Sequence, residues 1–256
     1  MSTSTISPSE HDIAQRRARA TKLGLFGLAN QLGHLGSETW VDTLLDLEEA
    51  ERQRRGLERR MKGAKLERFK PICDFDWAWP KRIDRPAIED LFDLSFLKDA
   101  TNIVLIGGNG VGKTMIAQNL AHHAITKGYS ARYTTASDLL NDLATQEAGR
   151  ALTARLRAYT KPSLLVIDEI GYLSAGVRHA DMLFEVVSRR YLRGSIVVTT
   201  NRVLKEWNEV FPSAGCVVTL VDRLVHRSEV ISIDAESYRL KEAMDQQQNR
   251  KRRRRT

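Results

Sequence analysis

The run Gly107-Gly108-Asn109-Gly110-Val111-Gly112-Lys113-Thr114 fits G-x-x-x-x-G-K-[ST], a spacing with a physical reason for each fixed residue. Gly107, Gly110 and Gly112 let backbone N–H groups turn inward around a β-phosphate, and a helix starting near Met115 adds its positive N-terminal dipole. Lys113 supplies a point charge to the β- and γ-phosphates. Thr114 offers a hydroxyl to Mg²⁺, which takes a few protein oxygens beside phosphate oxygens and water. Residues 107–115 are therefore the candidate nucleotide-binding set. Asp168 and Glu169 end the run Leu164-Leu165-Val166-Ile167. Asp168 suits the shell of the Mg²⁺ ion, and Glu169 can polarise a water that attacks the γ-phosphate. Asn201 closes the run Ile196–Thr200 and is open to two readings, a group that reaches the γ-phosphate or the water, or a turn-initiating amide. Arg223 and Arg227, four apart on an expected helical face, are either a surface charge stripe or a source of cation for a neighbouring subunit's nucleotide.

These residues need strand ends to hold them. Short apolar runs at 102–106, 131–135, 164–167, 195–199 and 230–233 alternate with helix-length segments, which implies a five-stranded parallel sheet covered on both faces in a doubly wound α/β fold. About 23 residues follow the last run, too few for a separate lid domain at the C-terminal end. Upstream, one helical pattern is expected near 11–35 and a second from about 40 to 68, after a Ser/Thr-rich start. The stretch 71–86, with three prolines and two tryptophans, reads as extended chain pinned by aromatic rings. The expected organisation is a helical domain over 1–70, an extended linker over 71–90, an ATPase domain over 91–245 and a basic, low-complexity tail over 246–256.

The net charge of +8 sits at the ends of the chain. Residues 52–70 hold nine Lys/Arg against Glu58 and Glu67, a local +7, and residues 250–255 are all basic, whereas 71–249 sum to −1. Arg52, Arg55, Arg59 and Lys62 recur at spacings of three and four, beside an apolar stripe of Leu57, Met61 and Ala64. That places a candidate DNA-phosphate contact on one face of the second helix; the competing reading is a solvated face whose arginine stems cover a neighbour. No apolar run approaches a membrane span, and the N-terminus lacks the pattern of a secretory signal, so a cytoplasmic protein is expected. Cys73 and Cys216 have no metal or redox spacing.

Taken in order, the phosphate loop, Val166-Ile167-Asp168-Glu169, Thr199-Thr200-Asn201 and Asp222-Arg223-Leu224 resemble the AAA+ ATPases. A finer resemblance is to the IstB-type helper ATPases of bacterial insertion sequences, themselves similar to DnaC-type helicase loaders. It spans most of the chain: the N-terminal helices, Phe75-Asp76-Trp77 and Ile83-Asp84-Arg85, Glu206-Trp207 with Val210-Phe211, the run 222–233, and Glu236-Ser237-Tyr238-Arg239. The resemblance implies an ATP- and Mg²⁺-dependent ATPase that assembles as a higher homo-oligomer on double-stranded DNA and recruits or stimulates a cognate transposase. It implies that Glu169 is the hydrolytic carboxylate, Asn201 a sensor, and Arg223 or Arg227 a finger acting across a subunit interface. The family commonly shows His-His where this chain has His226-Arg227, so both arginines stay open. Gly107–Gly110 also departs from the commoner G-P-P/S-G form. Arg239 is a further candidate for nucleotide contact. A helicase loader whose main contact is another protein is the alternative, and a monomeric small-molecule phosphotransferase ranks below both, because it gives the arginines and the basic segment no task.

Overall fold

The five apolar runs become the strands of one sheet in the computed structural model, which describes residues 9–35, 38–66, 68–146, 149–172, 177–211 and 215–253. The strands are β1 (Asn102–Gly107), β2 (Ala131–Thr135), β3 (Leu164–Asp168), β4 (Ser195–Thr200) and β5 (Ser228–Ile233). Every neighbouring pair is parallel, in the order β2-β3-β4-β1-β5. Contacts divide the chain into two units, Met1–Arg59 and Arg60–Thr256.

The first unit holds α1 (Glu10–Lys22), α2 (Phe26–Leu35) and most of α3 (Trp40–Ala64). Its core is Ala20, Leu23, Ala29, Leu32, Val41 and Leu45. Arg16 pairs with Asp42, and Arg19 with Asp46 and Glu49, which ties α1 to α3. The single helix expected over 11–35 is two helices. Gly24 stops the first with φ +66, its N–H bonding Thr21 O while Leu25 N–H reaches back to Ala20 O, the pairing of a Schellman cap that a glycine favours. The second expected helix stops at Ala64 rather than 68, where Lys65 takes φ +53.

In the second unit, alternation along the strands separates two cores. Ile103, Leu105, Val166 and Val197 face α6 (Lys113–Thr126), while Val104, Leu165, Ile167 and Val198 face α7 (Ala136–Ala144), α8 (Arg150–Thr160), α9 (Val177–Arg190), α10 (Trp207–Val210) and α11 (Val217–Val225). This is the doubly wound arrangement, with the functional strand ends at the carboxyl edge. Before β1, residues 71–84 are irregular apart from a short 3₁₀ turn at Ile72–Asp74 and an antiparallel bridge in which Arg82 and Asp234 exchange backbone hydrogen bonds. Residues 85–90 are helical rather than extended: Asp84 accepts the Ala87 N–H at 3.0 Å and Pro86 sits in the first turn, so α4 (Arg85–Asp90) starts there, followed by α5 (Ser95–Lys98). After β5, α12 (Tyr238–Arg253) carries helix through residues 246–253, where the sequence reads as a low-complexity tail; Gln, Lys and Arg are good helix formers and no glycine or proline interrupts them. Residues 254–256 lie outside the described residues.

One buried cation organises the end of the sheet opposite the phosphate loop. Arg190, 1% exposed, donates to the carbonyls of Tyr159, Thr160, Pro162, Ser163 and Ser195 at 2.7–3.2 Å, joining the α8–β3 turn to the start of β4. Burial pulls its pKa down to about 10. Among the described residues, no helix is long and apolar enough to cross a membrane.

Candidate nucleotide site

The phosphate loop leaves β1 and enters α6 through Gly112, whose φ of +101 is a left-handed conformation that only glycine adopts freely. Space enforces the same choice, because a Cβ there would lie 2.4 Å from the Phe75 ring. Val111 is buried beneath the loop. Lys113 Nζ donates to the carbonyls of Gly107 (2.7 Å) and Gly108 (2.6 Å), which folds the ammonium over the loop where phosphates would sit. Burial holds its pKa below the ordinary lysine value; the Arg239 charge adds to this and Asp168 opposes it.

Three side-chain hydroxyls, from β2, β4 and the first turn of α6, converge on Asp168, which is 1% exposed. Thr114 Oγ1 donates to Asp168 Oδ1 at 3.1 Å, and Thr199 Oγ1 contacts the same oxygen. Tyr133 OH donates to Oδ2 at 2.6 Å. Glu169 follows with φ +62, unusual for a non-glycine residue, and its N–H donates to Thr199 Oγ1 at 2.9 Å. Asn201 lines the cavity, but its Oδ1 is buried with no hydrogen-bond partner and packs against Gly171, where a Cβ would lie 1.8 Å from it. The Thr114 hydroxyl beside a buried carboxylate is the donor set that Mg²⁺ takes next to phosphate, so the residues present fit that ion.

Of these groups Thr114, Glu169, Thr199 and Asn201 line a cavity of about 400 Å³, together with Asn109–Lys113, Met115, Gln118 and Arg239. An aromatic part of the rim lies against the loop: Phe75, Trp79 and Tyr238, with Trp79 Nε1 donating to Glu236 O (2.9 Å) and Lys241 Nζ lying 4.2 Å over the Trp79 ring. Tyr238 N–H bonds Gly110 O at 3.0 Å, so α12 begins on the phosphate loop itself. The glycine loop with its lysine, a hydroxyl–carboxylate pair that fits Mg²⁺, an acidic residue beside them and a chamber with an aromatic rim together make a site shaped for a nucleoside triphosphate.

Known proteins agree. The family described as IstB-like ATP binding protein matches residues 25–246. This chain belongs to that family. A relative from Geobacillus stearothermophilus named for insertion sequence IS5376 and ATP binding is 36% identical over 81% of this chain and 83% of its own. One from Pseudomonas aeruginosa named for insertion sequence IS21 is 34% identical over 75% and 72%. The crystal structure of DnaI superposes with a TM-score of 0.52 at 18% identity, covering 65% of this chain and 89% of that one, which shows a shared fold.

In this IstB-like chain the two finger candidates stand apart from the cavity. The Arg223 guanidinium lies 4.9 Å from the Phe184 ring centre and donates to Ser188 Oγ, packing α11 against α9. Arg227 is exposed and does not share a helical face with it, because α11 ends at Val225, His226 caps it, and the Arg227 carbonyl already accepts the Asn102 N–H beside the start of β5. Neither lines the pocket. On α3, Arg52, Arg55, Arg59 and Lys62 are all exposed, but Arg52 pairs with Glu48 at 3.5 Å and Arg55 with Glu51 at 2.6 Å, so intrahelical carboxylates offset part of the local charge. Glu67 lies outside the described residues.

Sequence reasoning passed over Tyr133, Thr199, Gly171 and the aromatic rim. Thr199 carried a usable signal: it precedes Asn201 by two, and the side-chain period of a strand puts both on one face. Tyr133 did not, because a tyrosine in an apolar strand looks like core until its hydroxyl finds Asp168.

Proposed function

We propose that this chain is an ATP-hydrolysing regulator of DNA transposition. It binds ATP with Mg²⁺, assembles as a higher homo-oligomer on double-stranded DNA, and recruits or stimulates a cognate transposase. The observation that carries the hydrolytic half is that Thr114 of the loop bonds Asp168 at the end of β3, while Glu169 and Asn201, just past the ends of β3 and β4, line one cavity with the phosphate loop. In this reading Lys113 and residues 107–115 hold the triphosphate, Thr114 and Asp168 hold Mg²⁺, Glu169 activates the water and Asn201 orients it. The position of Arg223 and Arg227 outside the cavity supports a role at the nucleotide of a neighbouring subunit, since phosphoryl transfer gains from an added cation there.

The DNA half is supported by the basic segment 52–70 and by relatives named for insertion sequences. Residues 1–70 then supply subunit and DNA contact, 71–90 link them to the ATPase domain over 91–245, and 246–256 add a basic end.

Phosphate release by wild type and Glu169→Gln, measured with and without duplex DNA, tests the first half. The expected result is hydrolysis in wild type and its loss in the variant with nucleotide binding intact. Duplex binding by the Arg55→Ala/Arg59→Ala/Lys62→Ala protein across a salt series tests the second. The expected salt slope falls by about 2 to 3, near 0.9 per lost phosphate contact. DNA binding indifferent to ATP and to this charge removal would refute the reading. Electron microscopy with duplex DNA and a non-hydrolysable ATP analogue shows the oligomer and whichever arginine enters the neighbouring site. Recovery of a replicative helicase in place of a transposase in a pull-down argues for a loader.

A further inference from the structure

Thr199 has a hydroxyl with one proton and two lone pairs, and both acidic residues of the site depend on it. The Glu169 N–H donates to Thr199 Oγ1 at 2.9 Å. One lone pair is thereby occupied by a donor, so the hydroxyl proton is directed at Asp168 Oδ1, which can only accept when ionised. The carboxylate is otherwise served by Thr114 on the same oxygen and by Tyr133 on the other.

The strained residue is the one being held. Glu169 sits at φ +62, a left-handed conformation that a side-chain-bearing residue adopts only under strain. Turning that peptide aims the Glu169 side chain into the cavity instead of continuing the strand. Thr199 is 1% exposed, so its bond to the amide is shielded from competing water, and a missing acceptor would leave a part-buried N–H without its partner. We infer that Thr199 is a positioning residue: its hydroxyl clamps the turned Asp168–Glu169 peptide and thereby fixes where the Glu169 carboxylate meets the attacking water. The inference rests on the hydrolytic reading of the site given above.

The test compares wild type with Thr199→Val, which keeps the shape and removes the hydroxyl, and Thr199→Ser, which keeps the hydroxyl. Three readouts are taken: steady-state ATP hydrolysis, affinity for a fluorescent ATP analogue in EDTA, and amide hydrogen exchange of the peptide containing Glu169. A clamp predicts that Thr199→Val lowers kcat at least about 30-fold while affinity stays within about threefold, the pattern of a misplaced group that does not bind substrate. Exchange at Glu169 should quicken in Val alone, and Ser should restore hydrolysis to within about threefold of wild type. The inference is overturned if Val hydrolyses like wild type, if Ser is as impaired as Val, or if affinity falls in step with kcat. If Val does not fold, Ser is compared with Thr199→Cys, whose sulfur is a weak acceptor; Cys must fall at least about tenfold below Ser, and equality overturns the clamp. Wild-type protein that binds but does not hydrolyse ATP overturns the hydrolytic reading and the clamp together, whereas hydrolysing wild type with an unimpaired Thr199→Val overturns the clamp alone.

Discussion

Gly171→Ala is the sharpest test of the role proposed for Asn201. A Cβ built on Gly171 lies 1.8 Å from Asn201 Oδ1 and 3.0 Å from its Cγ, and real Cβ atoms do not approach neighbours below 3.0 Å. The amide must therefore retreat by at least the difference, about 1.2 Å. Gly171 follows Glu169 by two residues and belongs to the 3₁₀ turn Ile170–Tyr172, so the turn after the acidic pair and the end of β4 compete for the same space. A misplacement near 1 Å at a group that orients a reacting water costs on the order of 100-fold in kcat, about 2.7 kcal/mol of barrier. The phosphate loop is untouched, so nucleotide affinity should hold within about threefold. Overpacking will also lower stability by about 1–3 kcal/mol, which urea unfolding can report separately. Phosphate release gives the rate and a fluorescent analogue the affinity. The decisive comparison is a cycle with Asn201→Ala: if Gly171→Ala acts through the Asn201 amide, adding it to Asn201→Ala should cost no further activity. Wild-type turnover in Gly171→Ala, or full additivity in the double variant, would refute the reasoning.

Other expectations follow from single contacts. Arg190→Met leaves five carbonyls without their donor and should destabilise the second unit by about 3–5 kcal/mol; a loss under about 1 kcal/mol in urea unfolding would contradict the staple. Tyr133→Phe removes one donor from the buried Asp168 carboxylate and should cost about 1.5–3 kcal/mol of stability, read the same way. Arg54 and Arg55 hydrogen bonds hold Glu51 down to about 2 from an ordinary 4.5. A depressed carboxylate stabilises the fold above its unfolded value and loses that contribution as pH falls through its folded one, so α3 should lose helicity between about pH 4.5 and 2. Circular dichroism at 222 nm should show a smaller acid-induced loss in Glu51→Gln, and identical titration curves would count against the pairing.

Why so much of the site could be read in advance follows from the kind of constraint at each position. The phosphate loop, Asp168-Glu169 and Asn201 lie within a few residues of apolar runs, and a parallel sheet delivers the ends of such runs to one edge whatever the rest of the chain does. The backbone turn at Gly24 was harder, because one glycine inside a helical pattern is compatible with either an uninterrupted helix or a cap, and the contact of Leu25 N–H with Ala20 O decides it. Arg223 and Arg227 misled for a similar reason: their spacing fits a helical face, but β5 begins at Ser228 and ends the helix before the second arginine. Contacts between segments distant in sequence were not legible at all. Nothing at position 75 announces that Phe75 will fill the space a Cβ on Gly112 would need, and nothing at 190 announces that an arginine will serve carbonyls from 159 to 195.

The same distinction separates groups that hold nucleotide from groups that tune it. In the proposed reading, loop residues 107–112 act through backbone amides and Lys113 and Thr114 through side chains next to them in sequence, so the pattern is local and visible. Tyr133, Gly171 and Thr199 act by placing Asp168, Asn201 and Glu169, and each does so from a different strand or turn. Three hydroxyls, from β2, β4 and the first turn of α6, meet on one carboxylate, so that carboxylate senses the relative positions of all three elements. A shift of β4 against β3 must change the Thr199 bond to Glu169 at the same moment as it moves Asn201, because both side chains ride on one strand end. In an oligomer whose neighbours press on the α9–α11 face, where Arg223 packs on Phe184 and α9 lies against β4, such a shift would alter water activation and water orientation together. On this argument, variants at Thr199 and Gly171 should impair stimulation of hydrolysis by DNA at least as strongly as they impair the basal rate. A basal loss with the stimulation ratio unchanged would break the link between strand position and assembly.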